Sequence, residues 1–102
     1  MNNDLTIFDA IERYIDTVKL ARSENTARTY ANALNFFLEV LDVRNLSPKE
    51  IKISELSEEA LAWTISALNV YAPTTERLYL AALTGFYEFL VAERLAEINL
   101  PR

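Results

Sequence analysis

Apolar side chains recur every three or four residues in four separate stretches of this chain, and that period constrains the fold more than any other feature. In the first stretch they are Ile7, Ile11, Tyr14 or Ile15, Val18 and Ala21, with Asp9, Glu12, Arg13, Asp16 and Lys19 between them. One apolar stripe on a polar cylinder is an amphipathic helix, expected over about residues 6–21. Asp4 or Thr6 can cap its start, and Asp9 lies in the first turns, where the helix dipole favours a negative charge. Ser23-Glu24-Asn25-Thr26 then breaks the pattern with capping residues. Tyr30, Leu34, Phe37, Leu38 and Leu41 resume it as a second helix over about residues 26–42, whose other face, Arg28, Asn32, Asn35 and Glu39, is expected to be wet.

Residues 43–56 show no clear helical period and contain Pro48, so they read as a connection from which Ile51 and Ile53 dip into the core. Ser57, followed by Glu58 and Glu59, suits the start of a third helix over about residues 57–71, with Leu61, Ile65, Leu68 and Tyr71 inward. Ala72-Pro73-Thr74-Thr75 interrupts again. Thr74 suits the N-cap of a fourth helix over about residues 75–94, which turns Leu80, Leu83, Phe86, Tyr87 and Leu90 to one side. Gly85 in its middle costs roughly 1 kcal/mol against alanine, which implies close passage by another helix. With one glycine and three prolines in 102 residues there is little material for hairpins, and the length supports one modest core. The expected fold is all-α, a compact four-helix bundle in one domain over residues 1–97, with residues 98–102 opening a linker to a further domain.

The inventory excludes most chemistry. There is no cysteine and no histidine, hence no thiol catalysis, no thiolate metal site and neither the commonest general base nor the commonest metal ligand. No glycine-rich phosphate loop or calcium loop occurs. The adjacent Glu58 and Glu59 diverge by about 100° on a helix and read as dipole partners at a helix start. No catalytic residue, metal or cofactor is therefore expected. No apolar run is long enough for a bilayer, and Met1 to Asp4 lacks the order of a signal peptide, so the chain reads as cytoplasmic.

Ten Lys and Arg against fifteen Asp and Glu give a net charge of -5, which weighs against a tight, indiscriminate nucleic-acid binder. The few cations are nevertheless grouped. Lys19, Arg22 and Arg28 surround the turn into the second helix with only Glu24 opposing them, and Thr26 and Thr29 lie there too. Thr74, Thr75 and Arg77 open the fourth helix with Glu76 as the single acid. Helix starts carrying hydroxyls and an arginine can hold phosphate, because their free N–H groups and the dipole favour an anion, although such hydroxyls are first of all caps. The aromatic residues at helical spacing read as core, and no tyrosine stands out as a nucleophile.

Ser23-Glu24-Asn25-Thr26 followed by Tyr30, Leu34, Phe37 and Leu38, and later Thr74 with Leu83, Phe86, Tyr87, Phe89 and Leu90, resemble a known pattern. The opening Phe8 to Ile15 and the stretch Leu80 to Leu90 fit best. The chain is similar, over about residues 6–100, to the N-terminal SAM-like, or core-binding, domain of the tyrosine recombinase and phage integrase family. The resemblance implies a four-helix bundle forming one half of a clamp around double-stranded DNA, with the second and fourth helices facing the major groove near their N-terminal ends. Thr26 would then meet a phosphate, Arg28 and Thr29 would sit at the groove edge, and Thr74, Thr75 and Leu78 would do the same on the fourth helix. Asn32 on the second helix joins that set, and Lys19, Arg22 and Arg77 join it by charge.

In that family the tyrosine nucleophile and its assisting arginines, lysine and histidine belong to a C-terminal catalytic domain, which would be this domain's partner in the same chain. Other recombinase protomers are further expected partners. The acidic charge departs from the family pattern and predicts weak, salt-sensitive DNA affinity for the domain alone. The alternative expectation is a helical protein–protein interaction module with little or no DNA binding.

Overall fold

Thr6 fixes the start of α1 (Ile7–Ala21): its Oγ1 accepts a hydrogen bond from the Asp9 amide at 3.1 Å, so of the two candidate caps it is Thr6 that caps. The computed structural model describes residues 5–93. After α1 come α2 (Glu24–Val43), a 3-10 turn (Ile53–Glu55), α3 (Glu58–Ala67), a second 3-10 turn (Leu68–Val70) and α4 (Pro73–Ala92). The fold is all-α with four helices, and among the described residues no strand forms.

Several boundaries differ from the periodicity. α2 begins at Glu24 because Ser23 is its N-cap, accepting the Thr26 amide at 3.1 Å; the apolar stripe that marks a helix starts only after the cap. Ser23 thus leaves one extended residue, Arg22, between α1 and its own cap, and the corner is tight. α4 begins earlier than expected as well. Thr74 is not the cap: Ala72 is, and Pro73 occupies the first helical position, where its missing N–H costs nothing and its fixed φ is already helical. The expected third helix is shorter, giving way after Ala67 to the tighter Leu68–Val70 turn. The expected end of the fourth helix at 94 and the linker at 98–102 lie outside the described residues.

α2 ends by a backbone device. Asn45 adopts a left-handed φ of 63°, and the Asn45 and Leu46 amides return to the Asp42 and Leu41 carbonyls at 2.9 Å each, closing the last carbonyls of the helix. The chain then runs back to the start of α1. There the Ile7 and Phe8 amides, orphaned as the first donors of a helix, donate to the Ile51 and Pro48 carbonyls at 3.0 Å each. The Ile53 amide donates in return to the Leu5 carbonyl at 2.8 Å. The connection is therefore a strap across the head of α1, with Ile53 buried beneath it and Ile51 partly so.

The core lies where α2 meets α4, with α1 and α3 packed around them. Phe37, Leu34 and Leu41 from α2 and Leu83, Phe86, Tyr87 and Leu90 from α4 are fully buried, each removing apolar surface worth about 1.5–3 kcal/mol from water. Their rings interlock, Phe37 standing 6.2 Å from both Phe86 and Tyr87. Two residues expected inward, Ile65 and Leu80, are 38% and 37% exposed, because the helix pairs meet over a narrower stripe than the apolar pattern covers.

Candidate nucleic-acid interface

At the start of α2 the hydroxyls are already engaged with their own helix. Ser23 Oγ donates to Thr26 Oγ1 at 3.1 Å, and Thr29 Oγ1 donates to the Asn25 carbonyl at 3.2 Å. Arg28 is exposed, and its Nη1 donates to Asn25 Oδ1 at 3.2 Å, which steadies the guanidinium over the first turn. Asn32, one turn further on, is exposed beside it. Thr26 and Thr29 are half-buried, and Thr26 keeps its own hydroxyl hydrogen for another acceptor. Arg28, Thr29 and Asn32 share the helix face turned away from Leu34 and Phe37.

On α4, Thr74 and Arg77 are exposed, Thr75 is half-buried and Leu78 is 47% exposed. No side chain caps this helix, so its first N–H groups keep their hydrogens for solvent or another acceptor.

Between α1, α2 and α4 runs an open groove of about 660 Å³. Arg22 from the end of α1 and Arg77 from the first turns of α4 both line it, so two of the cations grouped by sequence do share one surface. Neither guanidinium hydrogen-bonds or ion-pairs with another described residue. Arg28 and Lys19, though exposed, are not among its walls. The floor is Tyr14, which stacks on Tyr30 at 6.4 Å and packs against Phe86 and Phe89 at 5.5 and 5.4 Å. Its hydroxyl donates to the Ala82 carbonyl at 3.1 Å. Burial pushes the Tyr14 phenol well above its ordinary range, Tyr30 and Glu88 push it the same way, and Arg22 opposes them.

Periodicity alone assigned Tyr14 and Tyr30 to the core, and Glu88 to no site. The signal for Glu88 was present: Arg77, Ala81, Thr84 and Glu88 recur at 4, 3 and 4 on the face of α4 opposite its apolar stripe, and all four line the groove.

The family model for the phage integrase N-terminal SAM-like domain matches residues 11–94, most of the chain. The chain belongs to that family. No curated protein and no solved structure matches it. The match to the SAM-like domain runs from the middle of α1 past the end of α4 and so takes in every groove residue. It also includes the capping turn before α2, the aromatic run inside α4 and the Ile11–Ile15 part of the opening stretch on which the resemblance rested. Among the described residues of this SAM-like domain no helix is long and apolar enough to cross a membrane.

Proposed function

We propose that this SAM-like domain binds double-stranded DNA for a tyrosine recombinase, forming one half of a clamp that holds a recombination-site duplex for strand exchange by a separate catalytic domain. On this reading the parent protein cleaves and rejoins DNA in the cytoplasm, and this domain contributes position rather than chemistry.

One observation carries the reading. In a chain of net charge -5, Arg22 and Arg77 come from different helices to the same groove, and neither guanidinium has a hydrogen-bond or ion-pair partner among the described residues. Free cations on an acidic molecule suit a phosphate backbone, whose counterions they replace. Arg28, Thr29 and Asn32 on α2, with Thr26 at its first turn, and Thr74, Thr75 and Leu78 on α4 complete the proposed surface, and Lys19 flanks it. Phosphate contacts of this kind fix orientation, and sequence is read by whichever side chains reach base edges.

A gel shift at low salt tests this by comparing the wild type with Arg28→Ala plus Arg77→Ala. Weakened binding by the double variant is the expected result; unchanged binding overturns the assigned surface.

A second reading, a module for protein association, is favoured by Leu20, 90% exposed at the end of α1, and by Val70, 73% exposed before α4. Sedimentation with and without duplex separates the two: self-association indifferent to DNA supports the second.

A further inference from the structure

We propose that the outer face of α4 is a docking surface for a second copy of this chain, whose own α4 lies against it antiparallel. The inference goes beyond the DNA-binding reading and stands without it, although both use Arg77.

The spacing carries the argument. Arg77, Ala81, Thr84 and Glu88 follow one another at 4, 3 and 4 residues along one face of α4, and that interval reads the same from either end. The two end residues carry opposite charge. When a second α4 is turned end for end and laid on the first, each Arg77 meets a Glu88 of the other copy, and Ala81 falls opposite Thr84 at the centre. Such a contact is two-fold and self-complementary, so it closes at two copies. A parallel alignment would set Arg77 on Arg77 and Glu88 on Glu88, which like-charge repulsion opposes. Alternating steps of four and three are also those of a coiled-coil seam.

Within one copy the two charges have no such use. They are eleven residues apart, about 16 Å along the helix axis, and neither forms an ion pair with another described residue. The face between them suits a helix rather than water alone. Ala81 is exposed and Thr84 half-buried, and small side chains let a second helix axis come close. Leu80, 37% exposed, and Val91, 42% exposed, flank the stripe on one side and supply apolar surface to cover. The groove beside α1 is open here, and all four stripe residues line it. A contact of a few helical turns buries less than the roughly 1,200 Å² of a stable interface, so the pair is weak.

The test is analytical sedimentation of the full 102-residue chain without DNA, over a concentration series up to about 1 mM. Wild type is expected to pair within that range. Arg77→Glu and Glu88→Arg are each expected to weaken pairing about tenfold, because each brings like charges together at two symmetry-related places. These variants shift the net charge in opposite directions, so a general charge effect would not weaken both. Combining them exchanges the charges and is expected to return pairing to within about twofold of wild type. Ala81→Gln adds bulk without charge at an exposed site and is expected to weaken pairing while leaving helix content unchanged by circular dichroism.

A wild-type chain that stays monomeric throughout, or an exchange variant as weak as the single variants, overturns the inference and leaves the DNA-binding reading intact. A chain with no affinity for duplex at low salt overturns that reading and leaves this inference standing. Where duplex binds through Arg77, saturating duplex is expected to dissolve the pair; pairing unchanged by it overturns the inference.

Discussion

Tyr14 and Gly85 share one space. A β-carbon built on Gly85 would lie 2.5 Å from the Tyr14 hydroxyl oxygen and 3.6 Å from the ring carbon that bears it. The first distance is a clash and the second an ordinary contact, so the glycine is required by one oxygen atom. Gly85→Ala gains about 1 kcal/mol of helix propensity but displaces a buried, hydrogen-bonded phenol from its aromatic packing. The expected net result is a loss of about 1 kcal/mol, read by urea denaturation. In a Tyr14→Phe background the same substitution meets only the ring and is expected to be neutral or stabilising. A Gly85→Ala change that destabilises both backgrounds equally would contradict this account.

Alkaline titration should reveal the same phenol. Burial, with Tyr30 and Glu88, raises the Tyr14 pKa above the unfolded value of 10.0. Above that value the unfolded chain releases the proton first, so stability is complete below about pH 10 and is lost as pH rises beyond it. Tyr71, raised by burial and by Tyr79 and Glu39, acts in the same direction with less weight because it is only half-buried. Tyr14→Phe is expected to flatten the decline of melting temperature above pH 10 while lowering stability at neutral pH.

The guanidinium of Arg44 lies 4.3 Å from the centre of the Trp63 ring, joining the end of α2 to α3. Arg44→Ala is expected to cost about 0.5–1 kcal/mol and to alter the emission of Trp63, the chain's single tryptophan. Arg44→Lys keeps the charge without the planar group and should fall between the two.

Salt dependence gives a check on the number of phosphate contacts. With about 3 to 5 contacts and a slope of about -0.9 for each, affinity should fall roughly a hundredfold over a few-fold rise in salt. Removing Arg77 should lower the slope by about one unit. A flat response would place the binding energy somewhere other than phosphate.

The apolar period was enough to locate the four helices and most of the core, because burial of a stripe is a local property of each helix. It was enough, too, for Gly85, whose cost in a helix implied a close neighbour. What it misplaced depended on partners distant in sequence. Residues 43–56 have no period because their order comes from backbone bonds to Leu5, Ile7 and Phe8, forty or more residues earlier. Leu80 and Ile65 fit the stripe but not the width of the helix contacts. Pro73 read as an interruption, whereas at a first helical position it starts a helix. At the groove, charge grouping found Arg22 and Arg77. It passed over Glu88 because an acid on the solvent face of a helix acquires meaning only when other helices fold it into a shared groove.

The strap across the head of α1 sets an order of events during synthesis. The leading amides of α1 are closed by Pro48 and Ile51, so the ribosome delivers α1 well before it delivers the groups that complete it. Until the strap has emerged, α1 can only flicker as an isolated segment of marginal helicity. α1 is thus completed only once residues some forty positions downstream have been made.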